Sequence, residues 1–434
     1  MYICNHEDDS NIDDFYRYKR VFSENRKIQM ITFTLPNGIR VIHKYTVSPV
    51  VYCGLTINTG TRDELAKEHG MAHFLEHNLF KGTKKRKAYH INNRLDNVGG
   101  ELNAFTTKEE TMIQACVISS DFSRAVELIA DVTFNSTFPE HEVCKEKQVI
   151  FEEIDSYADS PSELIFDDFE DLLFSGYAIG RNILGTKKTV AKFNLNDINN
   201  FVERTYNTDQ MVFSSVGRIS EKRLKYCCEK YFGTQKANLR AFNRTVPETY
   251  NVFNETVNKK THQHHVVVGN RAYNYNNSKR IALALLLNYM GGPAANSLLN
   301  TSLREKHGLV YNIEAGYTTY SDTGNMNIYY ATSSESNANK SYELVMKEIK
   351  HIKENLLSDY QLTKAKKQFI GQHLIAMENS EQLMQSLAKS VLVHGNYEVS
   401  EKLVKHIRAI SSTEIRDVAN EVFQENSISK LTYV

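Results

Sequence analysis

At 434 residues the chain is too long for one ordinary hydrophobic core, and two or three domains of roughly 100–200 residues are expected. Hydrophobic residues make up 41% and charged residues 24%, the balance of a soluble globular chain. Lys and Arg number 52 and Asp and Glu number 52, so the zero net charge gives no electrostatic case for a nucleic acid or a membrane surface as partner.

In chain order, residues 1–29 are polar and charged with no apolar central stretch, and read as an N-terminal arm rather than a secretory signal. No run of 18 apolar residues follows, so no spanning helix is expected. The six cysteines are scattered with no CxxC pair; Cys53 and Cys116 lie in strand-like apolar runs, and Cys227 and Cys228 in a helical one. Reduced structural thiols and a cytoplasmic location are the plain reading.

Folded sequence opens with the strand Met30 to Leu35 and the turn Pro36-Asn-Gly38, followed by strands at Ile39 to Lys44 and Val50 to Thr59. A helix is expected to open at Gly60-Thr-Arg-Asp and to carry Gly70-Met-Ala-His73. A second helix around His90 to Val98 stops at Gly99-Gly100. Leu102 to Thr107 and Thr111 to Ile118 read as a hairpin, and Phe122 to Asn135 and Glu140 to Tyr157 as long helices. Near residues 235–260 the composition turns polar and aperiodic around Pro247, which marks a linker. A faint repeat relates the two sides of it. Asp197 to Tyr206 leads into a strand at Met211 to Val216, and Glu414 to Phe423 leads into Ser427 to Val434, with Ile198 matching Ile415, Phe201 matching Val418 and Tyr206 matching Phe423.

The expected organisation is therefore an arm (1–29), a first domain (30–235), a linker (236–258) and a homologous second domain (259–434). The fold class is α+β: two similar α/β-roll domains, each a mostly antiparallel sheet packed by helices.

Chemistry concentrates in His73-Phe-Leu-Glu76-His77. Residues four apart share a helix face, so the two imidazoles can face one metal ion. Glu76 sits beside them, where a carboxylate can take a proton from water. Two His ligands leave a tetrahedral zinc site one protein ligand short. The downstream helix Cys144 to Asp155 offers several carboxylates: Glu146 and Glu153, seven apart on one face, and Glu152 and Asp155 within one turn. Other candidates are weaker. His264 and His265 are adjacent in a strand-like run and face opposite ways.

These motifs resemble the pitrilysin/insulinase family of zinc metallopeptidases, the inverzincins, and within it the processing-peptidase-like branch. The stretch Gly70-Met-Ala-His73-Phe-Leu-Glu76-His77-Asn-Leu-Phe-Lys-Gly-Thr83 is similar to that family's zinc helix, and the likeness runs from about Met30 to the end of the chain. The resemblance implies one Zn2+ per chain held by His73, His77 and Glu153, which follows His77 after 75 residues. It implies Glu76 as general base and Glu146 as a supporting carboxylate. It implies that Asn103, Ala104, Phe105 and Thr106 form an edge strand to which substrate backbone adds. It also implies that Arg304 and Tyr311, within Leu303 to Tyr311, reach a catalytic centre in an opposing half, where they would stabilise an oxyanion. For a chain of this size that half is a second subunit, so a homodimer, or a heterodimer with a related chain, is implied. Gly291-Gly292 stands where regulatory subunits of processing peptidases carry a long glycine-rich loop, and here it is short.

The function expected is a zinc metalloendopeptidase acting on peptides or unfolded polypeptide. The alternative is a non-catalytic or partner-dependent subunit of a processing-peptidase-like hetero-oligomer. Retention of both the metal set and the Arg304/Tyr311 element favours the active chain.

Overall fold

The computed structural model describes residues 30–397 and 400–434; the arm expected over 1–29 lies outside the described residues. The first half contains β1 (Met30–Thr34), β2 (Arg40–Tyr45), β3 (Val50–Ile57), α1 (Met71–Asn78), α2 (Ala88–Asp96), β4 (Glu101–Thr106), β5 (Thr111–Ile118), α3 (Phe122–Phe134), α4 (Glu140–Ala158), α5 (Pro161–Leu173), α6 (Lys187–Val190), α7 (Leu195–Thr205), β6 (Met211–Gly217) and α8 (Glu221–Tyr231). The second contains β7 (Asn254–Val257), β8 (His264–Arg271), α9 (Arg280–Gly291), a π-helical segment (Asn300–Lys306), β9 (Asn312–Thr319), β10 (Gly324–Thr332), α10 (Glu335–Glu354), α11 (Asp359–Ala376), α12 (Ser380–His394), α13 (Ser400–Ala409), α14 (Ser412–Val422) and β11 (Ser429–Tyr433).

The two sheets share one topology. The first runs β1-β2-β6-β3-β5-β4 and the second β7-β11-β8-β10-β9. In the first, β6 pairs parallel with β2 and antiparallel with β3; in the second, β11 pairs parallel with β7 and antiparallel with β8. Strand for strand, β2-β6-β3-β5-β4 corresponds to β7-β11-β8-β10-β9, and β1 is extra. Ile198, Phe201 and Tyr206 face one core, and Ile415, Val418 and Phe423 take the same places in the other. The segment read as a linker ends inside the second sheet, because β7 lies within it. The polar composition there reflects an exposed edge strand, all four of whose residues are exposed.

The halves exchange one helix each. Ile165, Phe169 and Leu173 of α5 cross over to cover Val267, Tyr329 and Leu431 of the second sheet. In return, Leu383, Met384, Leu387 and Val391 of α12 cover Ile42, Met112, Val212 and Val216 of the first. This covers the second face of each sheet and explains why β6 is buried along its whole length. Each fully buried side chain of this size contributes about 1.5–3 kcal/mol, so the exchange fastens the halves together. A buried ion cluster adds to it: Arg62 meets Glu109 at 2.6 Å and Asp322 at 2.5 Å, and Arg244 meets Asp63 at 2.8 Å.

One local expectation is corrected. No continuous helix opens at Gly60. Two single 3-10 turns, Thr61–Asp63 and Ala66–Glu68, lead to α1, which starts only after Gly70. Gly70 has φ 94°, a left-handed conformation that interrupts a right-handed helix. Among the described residues, no helix is long and apolar enough to cross a membrane.

Candidate metal centre

The centre lies where α1 packs against α4 and the edge strand β4. The apolar residues of α1 are driven into the first core: Met71, Ala72, Phe74 and Leu75 are all buried there. That fixes the rotation of the helix and leaves His73, Glu76 and His77 on the face turned to α4 and β4. The imidazoles of His73 and His77 lie with centroids 4.6 Å apart, 69° between planes.

Glu153 arrives from α4. His73 Nε2 is 3.6 Å from one of its oxygens and His77 Nε2 is 3.4 Å from the other. One ligating atom from each of the three residues falls within 4.8 Å of the others, and they are the one such group among the described residues. Glu146, two turns earlier on α4, accepts at 3.2 Å from Nδ1 of His77. A proton on Nδ1 leaves Nε2 as the lone-pair nitrogen, facing Glu153. The second oxygen of Glu146 meets Lys81 Nζ at 2.5 Å. Of the four carboxylates the α4 sequence offered, the fold brings Glu146 and Glu153 to the histidines; Asp155 pairs outward with Lys187.

These residues suit a cation. Burial first, and the neighbouring His77 second, push the His73 imidazole down to about 4, so it is neutral at ordinary pH. Oε2 of Glu153 is buried without a hydrogen-bond partner. The triad therefore brings two imidazole nitrogens and a carboxylate to one point. A buried acceptor in that state is costly unless a cation meets it. Two nitrogens and one carboxylate are a zinc-type donor set, with one position left for water or substrate.

Glu76 is half-buried on the same face. Burial pushes its carboxyl up from the ordinary range, while Thr106 and His77 oppose the shift. Thr106 ends β4, and its hydroxyl is bound to no other group. The phenol of Tyr206 is buried, without a hydrogen-bond partner, and is pushed up by burial and then by the charge of Glu76. Among the described residues β4 is the last strand of its sheet, bonded only to β5. Along it Asn103 is exposed, Ala104 buried, and Phe105 and Thr106 half-buried. Asn103 Oδ1 accepts from the Ala104 amide at 2.9 Å.

Arg304 and Tyr311 are not brought to the centre. Arg304 is exposed in the π-helical segment and Tyr311 is 61% exposed before β9, and neither side chain contacts the metal group among the described residues. The corresponding stretch of the second half, between β8 and β9, contains one histidine, His307, and among the described residues the metal set occurs once. His265, in contrast to a ligand, is buried against the Tyr329 hydroxyl at 2.9 Å. Lys81, Glu64 and Tyr206 stand beside the centre without belonging to its motifs. Lys81 stands four residues after His77, a spacing that hinted at a shared face; Glu64 and Tyr206 carried no such signal.

Comparison with known proteins places the chain in a family. Residues 40–187 match the model of a family described as insulinase (peptidase family M16), and residues 192–369 match one described as peptidase M16 inactive domain. The chain is 31% identical over 396 residues to a Bacillus subtilis protein named uncharacterized zinc protease YmxG, covering 91% of this chain and 96% of that one. It is 31% identical over 402 residues to a Rickettsia felis protein named uncharacterized zinc protease, covering 92% and 96%. A crystal structure of a protease from Helicobacter pylori superposes with a TM-score of 0.86 at 20% identity, covering 94% of this chain and all of that one. A peptidase M16 inactive domain from Pseudomonas fluorescens superposes with a TM-score of 0.87 at 15% identity, covering 93% and 98%. At those identities the two structures speak for the fold.

Proposed function

Because the chain belongs to the insulinase family of peptidases, M16, we propose that it is a zinc-dependent endopeptidase that hydrolyses peptides or unfolded segments. One observation carries this: the convergence of two imidazoles and a carboxylate oxygen, unpartnered among the described residues, within 4.8 Å, beside a half-buried Glu76. His73, His77 and Glu153 would hold the ion. A zinc ion held there would supply Lewis-acid polarisation of the scissile carbonyl. Glu76 takes a proton from the attacking water as its oxygen bonds to the carbonyl carbon, then delivers that proton to the leaving nitrogen as the C–N bond breaks. The unpaired edge of β4 favours an extended backbone as substrate, since an added strand meets the row of main-chain donors and acceptors that an edge presents.

The exposed Arg304 and Tyr311 support a dimer in which each chain completes the other's centre. They are exposed polar groups on the second half whose side chains have no hydrogen-bond or ion-pair partner among the described residues. A cytoplasmic homodimer is the simplest arrangement, and a heterodimer with a related chain is the second. The test is zinc content together with cleavage of a mixed pool of quenched peptides. One zinc per chain with cleavage is the expected result; zinc without cleavage by the chain alone selects the partner-dependent subunit, and absence of both overturns the proposal.

A further inference from the structure

Helix α1 has an unusual beginning. Its N-cap is Gly70, which has no side chain to satisfy the free amides of the first turn. They are met from upstream. Glu64 Oε2 accepts from the Gly70 amide at 2.9 Å and Oε1 from the Ala72 amide at 2.8 Å. Glu64 is 4% exposed. Caps are ordinarily local Ser, Thr, Asn or Asp side chains in contact with water. Here a full carboxylate is buried for the purpose, which carries a desolvation cost that a neutral cap would avoid.

The same entry is pinned from the opposite side. A Cβ on Gly70 would lie 2.7 Å from the Leu184 carbonyl oxygen and 2.8 Å from Gly185 Cα, and one on Gly185, at φ 74°, would lie 2.5 Å from the His69 carbonyl oxygen. Two backbones therefore cross in contact. His69 Nε2 is 3.1 Å from the Asn182 carbonyl, and the Arg181 guanidinium donates to the Glu64 carbonyl at 3.4 Å. The helix start has no room to slide or rotate, and His73 follows within its first turn.

We propose that Glu64 is a positioning residue for the metal centre: it fixes the first turn of α1 and, by its charge, offsets the positive end of that helix's dipole so that the turn carrying His73 can hold a dication. A helix N-terminus carries roughly half a positive charge, which opposes a cation bound to its first turn and is cancelled by an anion at the amides. Burial pushes the Glu64 carboxyl well up, opposed by the amides of Ala72 and Gly70 and by Arg181. An amide N–H on each oxygen favours the ionised form against that burial.

The inference rests on the reading that His73, His77 and Glu153 hold zinc, and the experiment separates the two. Zinc affinity is measured by chelator competition, and the d–d absorption of the Co2+-loaded chain is recorded, for the native protein, Glu64→Gln and Ile407→Ala. Ile407 is fully buried in the core of the second half, so its truncation lowers stability without touching α1. Expected is a roughly 10–100-fold weaker zinc affinity and altered Co2+ bands in Glu64→Gln, the range found when outer partners of metal ligands are lost, with Ile407→Ala matching the native protein in both. Native affinity and bands in Glu64→Gln overturn the proposal, as does equal weakening in both variants. Failure of the native chain itself to bind zinc overturns the metal reading, and the proposal with it. If Glu64→Gln does not fold, Glu64→Asp, too short to reach both amides, is read by the same criteria.

Discussion

Glu146 is held between two partners: one oxygen lies 3.2 Å from Nδ1 of His77 and the other 2.5 Å from Lys81 Nζ. The cation orients the carboxylate, and the carboxylate sets which nitrogen of the imidazole carries the proton. The lone pair is thereby directed at Glu153.

Glu146→Gln is expected to weaken zinc affinity by about 10–100-fold, because an amide placed there no longer fixes the tautomer. Lys81→Met is expected to weaken it less, since it acts one step further out. Chelator competition on both variants checks the order; a larger loss in Lys81→Met would contradict it.

Glu76→Gln is expected to keep its zinc and to lose turnover by about 10²–10⁴-fold, the usual contribution of a positioned general base. His77→Ala is expected to lose zinc itself. Chelator treatment of the native chain should abolish cleavage and added Zn2+ restore it. Metal analysis beside a peptide assay distinguishes these cases, and cleavage persisting in Glu76→Gln removes that residue from its role.

Tyr311→Phe is expected to lower turnover with folding intact. Mixing it with Glu76→Gln is the sharper experiment. In a mixed dimer one centre carries both defects, while the other combines an intact Glu76 with the partner's intact Tyr311. Activity above that of either variant alone is the expected outcome after exchange of subunits; additive activity would mean that each chain works by itself.

Stability is expected to fall on the acid side through His43. It is fully buried between β2 and β6, with Nδ1 2.9 Å from Ser215 Oγ, and burial lowers its imidazole to about 4. The unfolded chain, with an ordinary imidazole near 6.5, takes up the proton first. The contribution is thus constant above about 6.5, is lost as pH falls toward 4, and amounts to about 1.4 kcal/mol per pH unit in between. Urea midpoints at pH 7 and pH 5 should differ less in His43→Gln than in the native chain. An unchanged difference would show that His43 is not the titrating group.

Much of this protein is written in local pattern. Two imidazoles four apart need nothing beyond the period of a helix to share a face, so His73, Glu76 and His77 were visible before any fold. The hairpin at β4 and β5, the long helices α3 and α4, and the matched endings at Ile198 and Ile415 follow equally from alternation and periodicity, which are properties of neighbours along the chain. Tertiary structure decided the rest. Spacing put Glu146 and Glu153 on one face of α4, and the packing of α4 against α1 turned that face to the imidazoles and left Asp155 facing outward to Lys187. The late start of α1 depends on Glu64 reaching forward to the Gly70 amide and on Gly70 crossing Gly185, a contact whose partners lie far apart in sequence. The exchange of α5 and α12 was hidden for the same reason. An amphipathic helix displays a face that must be buried, but its sequence does not state against which sheet.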